Sequence, residues 1–117
     1  MASMMAPSLV FDGRGLELAV GSAGGTRLRT ALVGVLAAVL GTGAGVQDTI
    51  DRPRFHPVGN LVNAEPGVDE AWLESLEHAG RTVRRWPAQH HFFGGVSAVG
   101  RNEAGADPRR SGAVSRP

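Results

Sequence analysis

Two short, mainly apolar runs near the start of the chain lie on either side of an Asp-Gly pair. The first run covers residues 8–11 and the second covers residues 16–20, and Asp12-Gly13 lies between them. An Asp-Gly pair between two extended runs is the strongest local signal for a β-hairpin. The pattern therefore predicts a hairpin, and the glycines of residues 21–25 predict a tight turn from its second strand into a helix.

The apolar residues that follow Thr26 recur at helical spacing and cover almost the whole circumference of a helix. One broad face consists of Leu28, Ala31, Leu32, Val35, Leu36 and Val39. Val33, Ala37 and Leu40 occupy much of the remaining surface. Because a helix that is apolar nearly all round is typical of a protein interior, we predict a helix that is buried on both sides. The glycines of residues 41–45 are expected to end it.

The rest of the chain alternates between short strands and further helical segments. We predict a helical turn over residues 46–51, extended segments over 54–57 and 60–64, an amphipathic helix over 68–79, and strands over 82–86 and 92–99. Gly80 lies where a glycine often follows the end of a helix. The order of strand, glycine turn and buried helix predicts a layered α/β fold.

Composition excludes several classes of function. At 117 residues the chain is one domain at most. Its net charge of +1 and scattered arginines lack the basic stripe that a nucleic-acid partner requires. The absence of cysteine excludes disulfides and thiolate catalysis. The first seven residues do not resemble a signal peptide, and the longest apolar stretch, residues 31–40, is shorter than the roughly 20 residues of a membrane span. We therefore expect no nucleic-acid partner and no membrane segment in this chain.

The glycine turn at residues 21–25 is the most informative local feature. A turn that leads into a helix directs unpaired backbone N–H groups, supported by the helix dipole, towards one point. Such a site suits an anion or the oxyanion of carbonyl chemistry. On spacing alone a plain tight turn is the somewhat favoured alternative. The turn is not a phosphate-binding P-loop, because no Gly-Lys-Ser/Thr ending follows it.

Other polar motifs give weaker signals. The four histidines, His56, His78, His90 and His91, show no zinc-helix spacing with a glutamate, so we expect no metal. No nucleophile and base can be paired, since Ser22 has no obvious histidine partner. Residues 107–112, with the sequence Asp-Pro-Arg-Arg-Ser-Gly, are predicted to form a terminal turn with surface salt bridges. Anion binding by its arginines is the alternative.

Five segments, taken in order along the chain, carry a resemblance to a known family. They are Ser3-Met4-Met5-Ala6-Pro7, the Asp12-Gly13 hairpin, Gly21-Ser22-Ala23-Gly24-Gly25, Asp51-Arg52-Pro53-Arg54-Phe55-His56 and Asp107-Pro108-Arg109-Arg110-Ser111-Gly112. Together they resemble the C-terminal part of the small subunit of the γ-glutamyltransferases. The resemblance spans nearly the whole chain.

The resemblance implies a fold and a division of the chain. The fold is the α/β, four-layer αββα sandwich of the N-terminal-nucleophile hydrolases, present here in part, with sheets that are completed by the rest of the enzyme. Residues 1–106 would form the C-terminal segment of the small subunit. Residues 107–117 would form a polar tail that carries the Asp-Pro-Arg-Arg motif.

The resemblance also implies a reaction. In the family an N-terminal threonine attacks a γ-glutamyl amide, as in glutathione, with its own α-amino group as base, and the γ-glutamyl-enzyme then reacts with water or with an amino-acid or peptide acceptor. Gly24 and Gly25 match the two oxyanion-hole donors. Ser3 matches the first serine of a pair that holds the substrate α-carboxylate, and Met4 replaces the second. No cofactor is implied.

The expected partners are the γ-glutamyl substrate, its acceptor, and the remaining enzyme, meaning the large subunit and the N-terminal part of the small subunit. The family's threonine precedes this region, and internal Thr26 and Thr30 cannot offer a free α-amino group. We therefore expect the chain alone to be inactive. Two alternatives remain: a non-catalytic remnant or stand-alone interaction domain, and a cephalosporin-acylase-like amidase.

Overall fold

A computed structural model describes residues 4–117, which form seven β-strands and three α-helices. The strands are β1 (Ser8–Asp12), β2 (Gly15–Ala23), β3 (Phe55–Val58), β4 (Leu61–Ala64), β5 (Thr82–Arg85), β6 (Gly95–Gly100) and β7 (Ala104–Ala106), and the helices are α1 (Leu28–Thr42), α2 (Val46–Asp51) and α3 (Glu70–His78). Three short 3₁₀ turns cover Gly25–Arg27, His91–Phe93 and Pro108–Arg110. The strands form two sheets, so the predicted α/β architecture is observed.

The first sheet has the strand order β1-β2-β6-β7 and is antiparallel throughout. Its β1–β2 pair confirms the predicted hairpin, with Ser8 opposite Val20. At the hairpin turn the side chain of Asp12 accepts a 2.7 Å hydrogen bond from the backbone N–H of Arg14. Strand β2 continues to Ala23, because its residues stay paired with β6 up to Gly95. The turn into the helix is therefore limited to Gly24 and Gly25, which is shorter than predicted.

Helices α1 and α2 pack on one face of the first sheet and form the main core. The inward residues of the sheet are Leu18, Val20, Val96 and Ala98, and they contact Leu28, Ala31, Leu32 and Val35 of α1 and Val46 and Ile50 of α2. All ten side chains are buried. Each fully buried valine, leucine or isoleucine stabilises the fold by roughly 1.5–3 kcal/mol relative to an exposed one, so this face holds the sheet and helices together.

The outer side of α1 is open to solvent. Val33 is 66% exposed and Leu40 is 46% exposed. The prediction that this helix is buried on both sides is therefore wrong for the chain as described, because the sheet covers one side and no element of residues 4–117 covers the other. The helix ends as expected, with Gly43 at a φ of 67° and its N–H donating to the carbonyl of Val39.

The second sheet has the order β3-β4-β5. Strands β3 and β4 are antiparallel, whereas β4 and β5 are parallel and are connected through α3. The carboxylate of Asp69 caps α3 by accepting a 3.0 Å hydrogen bond from the N–H of Ala71, and Gly80 follows the helix with a φ of 88°. The helix begins two residues later than predicted, because this cap fixes its start.

The last strands differ more from the prediction. The predicted strand over residues 92–99 begins only at Gly95, since Phe92 and Phe93 lie in the 3₁₀ turn before it. Strand β7 was not predicted at all. Its sequence, Ala-Gly-Ala, is too short and too uniform to show an alternating pattern.

A buried cluster of charged side chains joins the two sheets. Arg109 binds Glu65 at 2.5 Å and Asp107 at 3.2 Å, and Arg54 binds Asp107 at 2.7 Å. These four side chains are at most 9% exposed. The prediction of surface salt bridges in this motif is therefore wrong. The boundary after residue 106 stays a prediction, but Asp107 and Arg109 belong to the interior.

Backbone groups complete the cluster. Arg109 donates to the carbonyls of Ile50, at 2.9 Å, and of Arg52, at 2.8 Å. Glu65 accepts a 2.9 Å hydrogen bond from the N–H of Arg54. Although burial opposes the charge of Arg109, the hydrogen bond and negative charge of Glu65 raise the pKa of its guanidinium. Every charge in the cluster thus has several partners, which is the condition for a stable buried ion pair.

We expect Arg109→Met to destabilise the protein by about 3–5 kcal/mol, because it leaves the carboxylates of Glu65 and Asp107 buried without a counter-charge. Urea unfolding at neutral pH measures the change. The matched control is Arg85→Met, which removes an arginine paired with Glu70 and Glu77 at the surface. It should change stability little, because exposed pairs are weak. If the two substitutions lowered stability equally, the conclusion that the buried cluster stabilises the fold more than a surface ion pair does would be contradicted.

Candidate active site

The turn from β2 into the first helix has a geometry that requires glycine. Gly24 has a φ of 139° and Gly25 a φ of 60°. A Cβ atom on Gly24 would lie 2.8 Å from the Cα of Gly94, which is closer than real Cβ contacts. The backbones of two chain segments therefore meet here, and they can do so only without a side chain at residue 24.

The turn is closed by a 3.3 Å hydrogen bond from the N–H of Arg27 to the carbonyl of Gly24. Gly25 is the first residue of the 3₁₀ turn that leads into α1. Because the first N–H groups of a helical segment have no acceptor within that segment, the N–H of Gly25 is suited to an external acceptor. The aligned peptides of α1, 15 residues long, add positive potential at this end.

Gly24 and Gly25 line a solvent-open cleft of about 620 Å³. Its other walls include Met4, Arg27, His90, His91, Phe92 and Arg110. The cleft is large enough for a small-molecule ligand. No aspartate or glutamate of residues 4–117 lines it. The two glycines predicted as oxyanion donors therefore lie at an accessible space with cationic walls.

One wall of the cleft is a stack of aromatic and cationic side chains. Arg27 lies over the ring of Phe92 at 4.4 Å, and Phe92 stacks on Trp86 with ring centres 4.8 Å apart. Arg84 covers the ring of Trp86 at 4.6 Å. The Nδ1 atom of His90 accepts a 3.0 Å hydrogen bond from the N–H of Phe92. Cation–π and stacking contacts of this kind restrict side-chain motion, so Arg27 has a defined position beside Gly25.

A buried histidine lies behind the turn. The Nδ1 atom of His56 is 2.9 Å from the hydroxyl oxygen of Thr30, and this hydroxyl donates at 3.0 Å to the carbonyl of Arg27. Burial lowers the pKa of His56, and the positive charges of Arg27 and Arg29 lower it further. A neutral His56 thus connects strand β3 to the start of the helix that follows the glycine turn.

The structure places only part of the sequence-predicted site. Gly24 and Gly25 lie together at the cleft, and Met4 lines it beside them. Ser3, the predicted substrate-binding residue, lies outside the described residues. Sequence reasoning did not assign His90 and His91 to the site, since it considered them only as possible metal ligands.

Two features are absent from residues 4–117. No group of three or more histidine and acidic side chains is arranged to hold a metal ion. None of the helices in that range is both long enough and apolar enough to cross a membrane.

Comparison with known proteins identifies what the chain is similar to. The family model described as gamma-glutamyltranspeptidase matches residues 1–116. A curated relative, glutathione hydrolase proenzyme 1 of Schizosaccharomyces pombe, is 30% identical over 86 residues. The match covers 72% of this chain and 14% of that relative.

Solved structures with the same fold include three enzymes. The transpeptidase CapD of Bacillus anthracis has a TM-score of 0.81 at 24% identity, with 97% of this chain and 71% of that chain covered. A gamma-glutamyltranspeptidase from Pseudomonas nitroreducens, complexed with L-DON, has a TM-score of 0.83 at 22% identity, with 100% and 64% covered. Cephalosporin acylase from Bacillus halodurans has a TM-score of 0.77 at 20% identity, with 88% and 20% covered. These likenesses confirm the predicted N-terminal-nucleophile hydrolase fold, of which the chain forms a part.

We expect Gly24→Ala to destabilise the protein by roughly 1–3 kcal/mol, because it combines an unfavourable φ with a clash against Gly94. Thermal unfolding measures the loss. Gly21→Ala is the control, since no described atom lies within 4 Å of a Cβ at that position, and it should change stability by less than about 0.5 kcal/mol. A tolerated Gly24→Ala would show that the close approach of the two backbones is not required.

The lowered pKa of His56 predicts a loss of stability in acid. The unfolded chain binds a proton at His56 as the pH falls through about 6.5, whereas the folded chain resists it. The contribution of His56 to the free energy of unfolding is therefore complete above that pH, and it decreases as the pH falls below it. The urea midpoint should fall between a pH of about 7.5 and 5.5, and it should fall less in His56→Gln. An identical pH dependence of the two proteins would contradict this account.

Proposed function

The chain belongs to the gamma-glutamyltranspeptidase family, and we propose that it supplies the oxyanion hole of an enzyme that cleaves γ-glutamyl amides. The observation that carries this proposal is the position of Gly24 and Gly25 at an open cleft, where the long helix begins. Because both glycines line this cleft, a substrate carbonyl can reach their backbone. The chain spans 14% of the curated relative, so the activity of the whole enzyme is part of the proposal.

The backbone N–H groups of Gly24 and Gly25 would act on the scissile carbonyl. When a nucleophile adds to the γ-carbonyl carbon, the carbonyl oxygen becomes an oxyanion. Two N–H donors that point at this oxygen stabilise the tetrahedral intermediate, and each donor lowers the barrier by on the order of 3 kcal/mol. Because the donors are fixed by a turn that requires glycine, they need no reorganisation when the charge develops.

The nucleophile would come from polypeptide outside these 117 residues. A threonine hydroxyl adds to the γ-carbonyl, its α-amino group accepts the hydroxyl proton, and the amine leaves with that proton as an ester forms. Water or an amino group then attacks the ester, and the threonine oxygen regains its proton. The γ-glutamyl group is thereby transferred to water or to an amino-acid or peptide acceptor. Both tetrahedral intermediates use the same two donors.

The proposed substrates are γ-glutamyl amides such as glutathione. The name of the S. pombe relative, a glutathione hydrolase, supports this class. The cationic walls of the cleft, formed by Arg27 and Arg110, agree with a substrate that carries carboxylates. The alternative is that the chain has no catalytic role, and the following test distinguishes the two possibilities.

The test removes a single N–H in the assembled enzyme. Replacing Gly25 by glycolic acid converts its amide to an ester and deletes the donor without adding a side chain. Release of an aniline from a γ-glutamyl anilide should then fall by about a hundredfold or more. The same replacement at Gly13, at the exposed hairpin tip, is the control and should leave turnover unchanged.

Two results would contradict the proposal. Unchanged turnover in the Gly25 ester would show that this N–H is not an oxyanion donor. Release of the aniline by the 117 residues alone would show that they contain a nucleophile. We propose instead that these residues do not turn over the anilide without the remaining enzyme.

A further inference from the structure

Arg110 lies at the cleft without a counter-charge. It follows the buried cluster directly in sequence, yet its side chain is exposed. Among residues 4–117 no carboxylate forms an ion pair with it, although Asp107 lies only three residues before it. Arg110 is therefore a cation that the fold brings to the site and leaves unneutralised.

The reason lies in the hydrogen bonds of Asp107. One carboxylate oxygen accepts from Arg54 at 2.7 Å and from the N–H of Val96 at 2.9 Å. The other accepts from the N–H of Arg109 at 3.0 Å and from its guanidinium at 3.2 Å. Since an ionised carboxylate has about four acceptor positions, Asp107 has none left for Arg110.

The position of Arg110 depends on the absence of a side chain at Gly95. The stem of its side chain lies across Gly95, where a Cβ would clash with the Cδ, Nε and Cγ atoms of the arginine. Its guanidinium reaches the glycine turn, because a Cβ on Gly24 would be 3.9 Å from the Nη2 atom. The missing side chain at residue 95 thus provides the space that Arg110 occupies beside the proposed oxyanion donors.

The remaining charge of the cleft has the same sign. Arg27 also lies beside the glycine turn, where a Cβ on Gly25 would be 4.0 Å from its Nη1 atom, and its guanidinium lies over the ring of Phe92. The buried carboxylates of Glu65 and Asp107 are bound to Arg109 and Arg54 and do not line the cleft. An anion that enters this space therefore meets a guanidinium and no competing negative charge. A planar guanidinium recognises a carboxylate through two parallel hydrogen bonds.

From these observations we propose that Arg110 is a specificity-determining residue that binds a carboxylate of the substrate. The inference rests on the proposed function, since that function identifies the ligand as a γ-glutamyl compound. The carboxylate belongs either to the acyl part or to the amine part of the amide. Both sources present the same chemistry to Arg110, and the experiment distinguishes them.

The experiment measures binding of three small amides to the intact protein by calorimetry at low ionic strength. γ-Glutamyl methylamide carries a carboxylate only in its acyl part, γ-aminobutyrylglycine only in its amine part, and γ-aminobutyryl methylamide carries none. At least one of the two carboxylates should increase affinity by about tenfold over the amide that has no carboxylate. Arg110→Gln should abolish that increase, and the amide affected identifies the source.

Two further variants separate recognition of the carboxylate by Arg110 from the general effect of removing a positive charge. Arg14→Gln removes an arginine that is 80% exposed on the hairpin, and it should leave all three affinities unchanged. Gly95→Ala keeps Arg110 but displaces its side chain, so it should reduce the carboxylate preference as Arg110→Gln does. Circular dichroism confirms that each variant is folded.

The inference is overturned if neither carboxylate improves binding to the unmodified protein, or if the preference survives Arg110→Gln. Because the measurement needs no turnover, it is independent of the test on Gly25. The carboxylate preference could depend on Arg110 while turnover stays unchanged in the Gly25 ester. In that case this inference would stand and the proposed oxyanion donors would be rejected.

Discussion

The buried cluster of Arg54, Glu65, Asp107 and Arg109 is the constraint on which the arrangement of the chain depends. Charges that leave water lose solvation energy, and only several well-placed partners offset that loss. Here the partners come from the end of α2, from the residues that flank β3 and β4, from the start of β6 and from the segment after β7. If any of these segments moves, a charge loses its compensation. The cluster therefore specifies the relative positions of segments that are distant in sequence.

Gly24, Gly94 and Gly95 complement the buried cluster, because they let chain segments approach each other closely. Gly24 approaches Gly94 so closely that a Cβ on Gly24 would lie 2.8 Å from the Cα of Gly94, and Gly95 leaves room for Arg110. Charge pairs hold the segments together, and missing side chains let them meet. The result is a half-buried backbone turn that lines an open cleft.

The sequence predicted those features that depend on local signals. Asp12-Gly13 predicted the hairpin, Gly43 and Gly80 predicted helix ends, and the order of elements predicted the fold class. Features that depend on distant contacts were missed or wrong. Val33 and Leu40 looked like interior residues, because an apolar pattern does not reveal whether an element covers it. The burial of Asp107 and Arg109 was not predicted, since their partners Glu65 and Arg54 lie more than 40 residues away in sequence. The glycine turn was noticed as a possible anion site from its residues, and the resemblance assigned Gly24 and Gly25 as the two donors. Anion binding by the arginines of residues 107–112 was only an alternative in the sequence, and the structure separates buried Arg109 from Arg110 at the cleft.

The Asp-Pro-Arg-Arg segment shows how one short motif can serve both the interior and the cleft. In a 3₁₀ turn successive side chains point in directions about 120° apart, so Arg109 and Arg110 cannot share an environment. Asp107 starts the turn, Pro108 occupies its first position, and Ser111 ends it with a φ of 52°. Arg109 then lies inside against Glu65, and Arg110 lies outside against Gly95. Because Arg54, Arg109 and the N–H of Val96 together occupy the acceptor positions of Asp107, Arg110 keeps its charge available. The cation at the cleft is thus a consequence of the ion pairs that stabilise the fold, and a substitution that disturbed Asp107 would alter both.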